Sequence, residues 1–146
     1  MKIFLFAALI LFSFSCKKDN ASENITDYNW VLTAQVVSPA ITINGKTSTD
    51  YLSLQNQEGC TKNFGYAFND KGIFTVSSNG ALCDMVANSD QQKWRREGDE
   101  LILEYNNVIS PSSPFKISEN SLSQTATITV DGANYTLTST YSAQKK

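Results

Sequence analysis

From Tyr28 to Tyr141 the chain follows a period of two, with apolar or aromatic residues at alternate positions in short runs and turn dipeptides between the runs. Side chains along a strand point alternately to opposite faces, so this pattern fits strands that bury one face, and no long stretch carries a helical period. The first run is Tyr28 to Val37, with Trp30, Leu32, Ala34 and Val36 on one face. A second, Ala40 to Ile43, ends at Asn44-Gly45, a strong hairpin signal because a two-residue turn of this kind needs positive φ at both positions. Tyr51 to Leu54 continues the series. Asn63 to Asn69 then sets Phe64, Tyr66 and Phe68 on one side, and Asp70-Lys71-Gly72 turns the chain into Ile73 to Ser77. Another turn, Asn79-Gly80, precedes Gln91 to Glu97, which carries Trp94 into a Glu97-Gly98-Asp99 turn. Leu101, Leu103 and Tyr105 alternate beyond it. Behind Pro111 and Pro114, Phe115 to Ile117 reads as an edge strand, since proline cannot donate to a ladder. The final hairpin joins Leu122 to Val130 with Ala133 to Tyr141 through Asp131-Gly132.

The class is therefore all-β, an antiparallel up-and-down meander of about eight to ten strands. Curling such a meander into a barrel buries one face and removes the edges that invite aggregation. A β-sandwich satisfies the same alternation and is the alternative. The turns are nearly all local, which favours the barrel.

Before the β region the chain has a different character. Met1-Lys2 is followed by Ile3 to Phe14, in which only Ser13 is polar, and the run stops at Lys17-Lys18-Asp19. A spanning helix needs about 20 apolar residues to cross about 30 Å of hydrocarbon, so this segment is too short to span and reads as a signal peptide over residues 1–15. Ser15 stands immediately before Cys16. The junction resembles the lipobox of bacterial lipoproteins, which implies that Cys16 is lipidated and becomes the mature N-terminus. An ordinary secretory signal with an incidental Cys is the alternative. The chain has three Cys, and an odd count in an exported protein needs a reason for the unpaired one. With Cys16 carrying lipid, Cys60 and Cys83 remain for a disulfide, which would contribute on the order of 3 kcal/mol by closing its loop. A metal is the competing use of those thiols, but the sequence has no His and no further clustered soft ligand.

Residues 16–27 (Cys16 followed by KKDNASENITD) are polar and aperiodic, as expected of a lipidated N-terminus on a flexible tether, and the barrel is expected over 28–142 with a short tail at 143–146. Removing 15 of the 146 residues leaves 131, enough for one domain. Loss of Lys2 takes the formal charge from −2 to −3, so there is no basic field to hold nucleic acid.

Catalytic chemistry is thin. Without His there is no Ser-His-Asp arrangement and no imidazole base, and the remaining thiols are assigned to the disulfide. Glu97, Asp99 and Glu100 lie close together, but in a turn, where solvated carboxylates are expected. No catalytic residue, metal site or cofactor is assigned, and the chain is not expected to be an enzyme. Binding remains, and its candidate residues are Trp30, Phe64, Tyr66, Phe68, Trp94, Tyr135 and Tyr141, with the polar Gln124 and Ser139 on the same faces. Such aromatics also fill the core of any small barrel.

Trp30-Val31-Leu32 near the start, the aromatic hairpin with Phe68 and Gly72 between the two Cys, Cys83, and Trp94 followed by Asp99-Glu100-Leu101-Ile102-Leu103 together resemble the lipocalin-like lipoprotein domains of Bacteroidetes. The resemblance covers about residues 25–141 and implies a small barrel with an interior for a hydrophobic molecule, held in the cell envelope and anchored in the outer membrane through its N-terminal lipid. Lipocalins open with Gly-x-Trp, whereas this chain has Tyr28 two residues before Trp30, and no Arg follows Arg96. Two functions from different classes follow. One is a ligand-binding lipoprotein. The other is a protein-interaction or inhibitor module on a solid barrel, with contacts from segments such as Ser38-Pro39, Gln55 to Gly59 or Ser110 to Pro114. Changing Cys16→Ser should release the protein from the membrane fraction without unfolding it, which fractionation followed by circular dichroism of the released chain checks.

Overall fold

The computed structural model describes residues 20–55, 64–78, 91–106, 108–109 and 113–146. The signal segment, Cys16, Cys60 and Cys83, with the expected lipidation and disulfide, lie outside the described residues. A single 3-10 turn, Ile25–Asp27, leads into β1 (Tyr28–Ile43), β2 (Lys46–Asp50) and a helical turn α1 (Tyr51–Leu54). Then come β3 (Phe64–Phe68), β4 (Phe74–Ser78), β5 (Gln92–Glu97), β6 (Glu100–Tyr105), β7 (Val108–Ile109), β8 (Phe115–Ser118), β9 (Ser121–Val130) and β10 (Ala133–Lys145).

All pairings are antiparallel, and they form one sheet in the order β4-β3-β1-β10-β9-β8-β6-β5, with β2 added to β1 and β7 to β6. Each strand on this path lies beside its successor, and the last strand returns to the first, as an up-and-down barrel requires. The ring closes at a seam between the β3–β4 turn and β5. There Ile73 bridges Lys93, the Trp94 N–H donates to Gly72 O at 2.8 Å, and the indole Nε1 donates to Asn69 O at 3.1 Å. Asn69 also ties its own turn, accepting from the N–H groups of Lys71 and Ile73 on Oδ1 at 3.0 Å. Gly72 takes φ +73, a left-handed conformation that glycine adopts without strain. The Asn44-Gly45 and Asp131-Gly132 turns have positive φ at both residues, as their sequences predict.

The core is in two parts. The larger is built on Trp30, Phe68, Phe74, Leu101, Phe115 and Leu122, all almost fully buried, with Tyr66, Trp94 and Tyr141 against them. The smaller is Val37, Ile41 and Leu54, flanked by Tyr51, Ile128, Val130, Tyr135 and Leu137. It lies where the long strands β1, β9 and β10 run on past the ring, and α1 covers it. Asp50 caps α1 by accepting from the Ser53 N–H at 3.1 Å. Tyr51 to Leu54 thus forms a helical turn in place of a strand, which brings Leu54 down onto Ile41.

Three other sequence expectations change. First, β1 is continuous through Ser38-Pro39, a cis peptide bond, so this pair lies within a strand and not in a loop. Second, Phe115–Ser118 lies between β6 and β9 and is not an edge. Third, the ends of the chain belong to the barrel. Ala21 and Ile25 are buried in the main core. The Ser22 N–H donates to Glu119 O at 2.7 Å, and Arg96 Nη1 donates to Ser22 O at 2.6 Å. Lys145 pairs with Tyr28, and Lys146 Nζ donates to Phe68 O at 2.9 Å and to Thr26 O. Polarity alone marked residues 20–27 as tether, but Ala21 and Ile25 give that segment enough apolar surface to plug one end of the ring.

Trp30 joins these parts, since its ring fills the base of the core while its Nε1 donates to Ile25 O at 3.1 Å and so holds the plug. Trp30→Ala should cost about 3–5 kcal/mol in urea unfolding, the range for removing a buried large aromatic. Trp30→Phe should cost less but free residues 20–27, which faster amide exchange in that segment would report.

Candidate functional site

Which residues of β1 face the interior depends on one irregularity. The β1–β10 register pairs Leu32 with Tyr141 and then Ala34 with Thr140, a bulge at Thr33. An extra residue on one strand reverses the alternation beyond it. The face that begins Trp30, Leu32 therefore continues Gln35, Val37, and Val36 turns outward to half exposure. Strict alternation had placed Ala34 and Val36 inside and Gln35 outside.

The bulge creates a polar row across three strands. Gln35 pairs with Ser139, and Ser139 with Gln124. Gln35 and Ser139 are both buried, and Gln35 Nε2 donates to Ser139 Oγ at 3.0 Å. Gln124, half-buried, donates from Nε2 to Ser113 O at 2.7 Å. On one side of this row lie Leu32, Tyr141 and Leu122, and on the other Val37, Leu137 and Ala126, so it separates the two apolar clusters. The Gln35 Oε1 atom is buried and has no hydrogen-bond partner among the described residues. Turning the amide over would give Ser139 the oxygen and leave the nitrogen unpaired, so one polar atom of this side chain needs a partner in either orientation. Leaving such a group unpaired costs about 1–3 kcal/mol.

Beside the row, Tyr66 stands at the centre of the aromatic cluster. Its ring lies 5.3 Å from both Phe115 and Tyr141 in edge-on contact, 6.1 Å from Phe74 and 6.3 Å from Phe68. Phe68 meets Trp94 at 5.4 Å, and Phe74 meets Tyr105 at 5.1 Å, again edge-on. Tyr105, edge-on to Phe74, is 36% exposed, so the three tyrosines Tyr66, Tyr141 and Tyr105 run from the interior to the surface of this cluster. Burial raises all three above the usual phenol value. Tyr66 rises furthest, helped by its two tyrosine neighbours, and Tyr141 is pushed up to about 12, with the neighbouring Tyr66 hydroxyl pulling the other way.

The structure thus brings together five of the predicted aromatics, Trp30, Tyr66, Phe68, Trp94 and Tyr141, and sets Gln124 and Ser139 side by side. Trp30 and Trp94 hold the plug and the seam. Tyr135 belongs to the second cluster, and Phe64 is half-buried at the start of β3. Gln35, Phe74, Tyr105 and Phe115 were not among the predicted site residues. Phe74, Tyr105 and Phe115 sit on alternating runs that could have revealed them, whereas Gln35 is visible only once the bulge is known.

Two outcomes follow. A phenol ionises by becoming charged, which this interior opposes, so the stability held by these tyrosines is complete below pH 10 and is lost as pH rises through 12. Absorbance titration should show phenols that ionise only above pH 10, together with loss of near-ultraviolet circular dichroism. In the polar row, Ser139→Ala should cost about 1–3 kcal/mol by leaving the whole amide unpaired, and Gln35→Met added to it should recover most of that loss. Chemical denaturation of the single and double variants measures both.

No protein-family model, curated protein or solved structure matches this chain, so the arrangement stands on its own geometry.

Proposed function

We propose that the chain is an exported lipoprotein of the cell envelope, lipid-anchored at Cys16, whose barrel holds a small, mainly apolar molecule with one hydrogen-bonding group. The carrying observation is the row Gln35–Ser139–Gln124 between two apolar clusters, its first two members buried and Gln35 Oε1 unpaired among the described residues. Ligand sites are largely apolar with a few placed polar groups that orient the guest. A hydroxyl or amide donor on the ligand would satisfy Gln35, and the surrounding aromatic and aliphatic side chains would take the apolar body. In this reading Cys60 and Cys83 form a disulfide, the anchor lies in the outer membrane, and the domain is lipocalin-like, as the sequence resemblance implies.

A second reading, a protein-interaction module on a solid scaffold, draws on the ring contacts around Tyr66, which fill much of the main core with the protein's own side chains. The two readings differ in one measurement. Native mass spectrometry of the full protein purified in mild detergent should show a co-purifying small molecule, lost in Gln35→Leu while the fold is kept. An apparent mass equal to that of the lipidated chain alone would favour the solid scaffold.

A further inference from the structure

The segment before β1 is held at several points around one end of the barrel. The Ala21 N–H donates to Asn120 Oδ1 at 3.1 Å and the Ser22 N–H to Glu119 O at 2.7 Å, which ties it to the turn between β8 and β9. Arg96 of β5 donates from Nη1 to Ser22 O at 2.6 Å. Where β1 starts and β10 ends, Trp30 Nε1 donates to Ile25 O at 3.1 Å and the Lys146 N–H to Asp27 O at 3.2 Å. With Ala21 and Ile25 buried as well, these residues are part of the domain and not a free tether.

The antiparallel order sets the two ends of the barrel well apart. β1, β4, β6 and β9 begin at the plugged end, and β3, β5, β8 and β10 finish there. The turns Asn69 to Gly72, Gly98-Asp99 and Glu119-Asn120 therefore lie round the plug, and the Asn44-Gly45 and Asp131-Gly132 turns lie at the opposite end. Between them β1 runs for 16 residues, about 50 Å of strand at about 3.3 Å per residue.

Four residues, Lys17 to Asn20, separate Cys16 from Ala21. A chain spans at most about 3.4 Å per residue, so Cys16 lies within about 17 Å of Ala21 whatever path it takes. Counted to Tyr28, as for a tether free up to the first strand, the same limit is about 41 Å. The plug thus shortens the reach by more than half.

We infer that the protein stands on its membrane by the plugged end, with the plug and the turns round it next to the lipid headgroups and the Asn44-Gly45 and Asp131-Gly132 end turned to the water. This rests on the anchoring of Cys16 proposed above and not on the ligand reading. An inverted barrel would need the leash to run the length of the strands, which it is too short to do. Nothing among the described residues holds the barrel on its side either. The outer faces of β9 and β10 show exposed Thr125, Thr127, Thr129 and Thr136, an uncharged hydroxylated wall without the apolar or basic clusters that bind a bilayer surface. The exposed large apolar side chains, Val36 on β1 and Tyr105 and Val108 on β6 and β7, lie on opposite walls of the ring. A molecule dissolved in the water therefore meets the end of the barrel away from the plug.

Energy transfer on vesicles tests this placement. The full lipidated chain carries a fluorescent amino acid either at Asp70, beside the plug, or at Lys46, beyond Asn44-Gly45, both exposed positions. It is added to vesicles of phosphatidylethanolamine and phosphatidylglycerol that carry an acceptor dye on the headgroups. Because much of a strand length separates the two positions, transfer should be at least about twofold stronger from Asp70 than from Lys46. Inserting about a dozen Gly and Ser residues between Asp19 and Asn20 lengthens the leash without touching the barrel and should bring the two signals together. Trp30→Phe, which frees the plug, should shift them the same way. Equal transfer from both positions, stronger transfer from Lys46, or a difference that survives the insertion overturns the inference and leaves the anchor standing. An intact mass without a diacylglyceryl group, or a chain that does not bind the vesicles, overturns the anchoring reading and this inference with it.

Discussion

The ladder between β1 and β10 joins the two ends of the chain, from Tyr28↔Lys145 to Ser38↔Thr136, and the remaining elements are placed by it. On its other edge β1 receives β3 and β2, and β10 receives β9, so both halves of the barrel wall grow outward from this pair. Among the described residues the halves meet again at the Trp94 seam, where a bridge and two hydrogen bonds replace a full ladder. The plug at residues 20–27 rests on the same pair, through Trp30 on β1 and Lys146 just beyond β10.

A bulge in that ladder sets the chemistry of the interior. One residue inserted at Thr33 exchanges Ala34 and Val36 for Gln35 and Val37 on the inner face of β1. Without it the interior row opposite Ser139 would be apolar on that strand. With it, the amide of Gln35 is carried into the core, where its Oε1 atom has no partner among the described residues. An arrangement that costs free energy and is built by a specific irregularity is where a functional role is most economically sought.

Much of the fold was legible because its signals are local. The dipeptides Asn44-Gly45 and Asp131-Gly132 specify turns by backbone conformation, and alternation in Phe64–Phe68, Leu101–Tyr105 and Ala133–Tyr141 specifies faces within a few residues. What the sequence hid was decided by contacts that alternation along a strand does not record. Thr33 looks like any strand residue, and only the opposing β10 shows that it is inserted. Tyr51 to Leu54 carries a strand-like composition, yet Asp50 caps it into a helical turn over Ile41. Residues 20–27 are too polar for periodicity to flag, although two small apolar side chains suffice to seat them. The site shows the same division: Ser139 and Gln124 stood out against apolar neighbours on their own strands, and Gln35 did not.

The position of β10 also bears on the order in which the molecule can come into being. Its 13 residues follow every other described strand in sequence, and they pair with β1. As the chain is made from its N-terminal side, β1 can gather β2, β3 and β4, but the wall on its other side stays missing until β10 has been made. Contacts of such long sequence separation form slowly, after the entropy of closing a loop nearly as long as the domain has been met. Barrel closure is therefore a late event, and a polypeptide that still lacks β10 stays open along one side of β1.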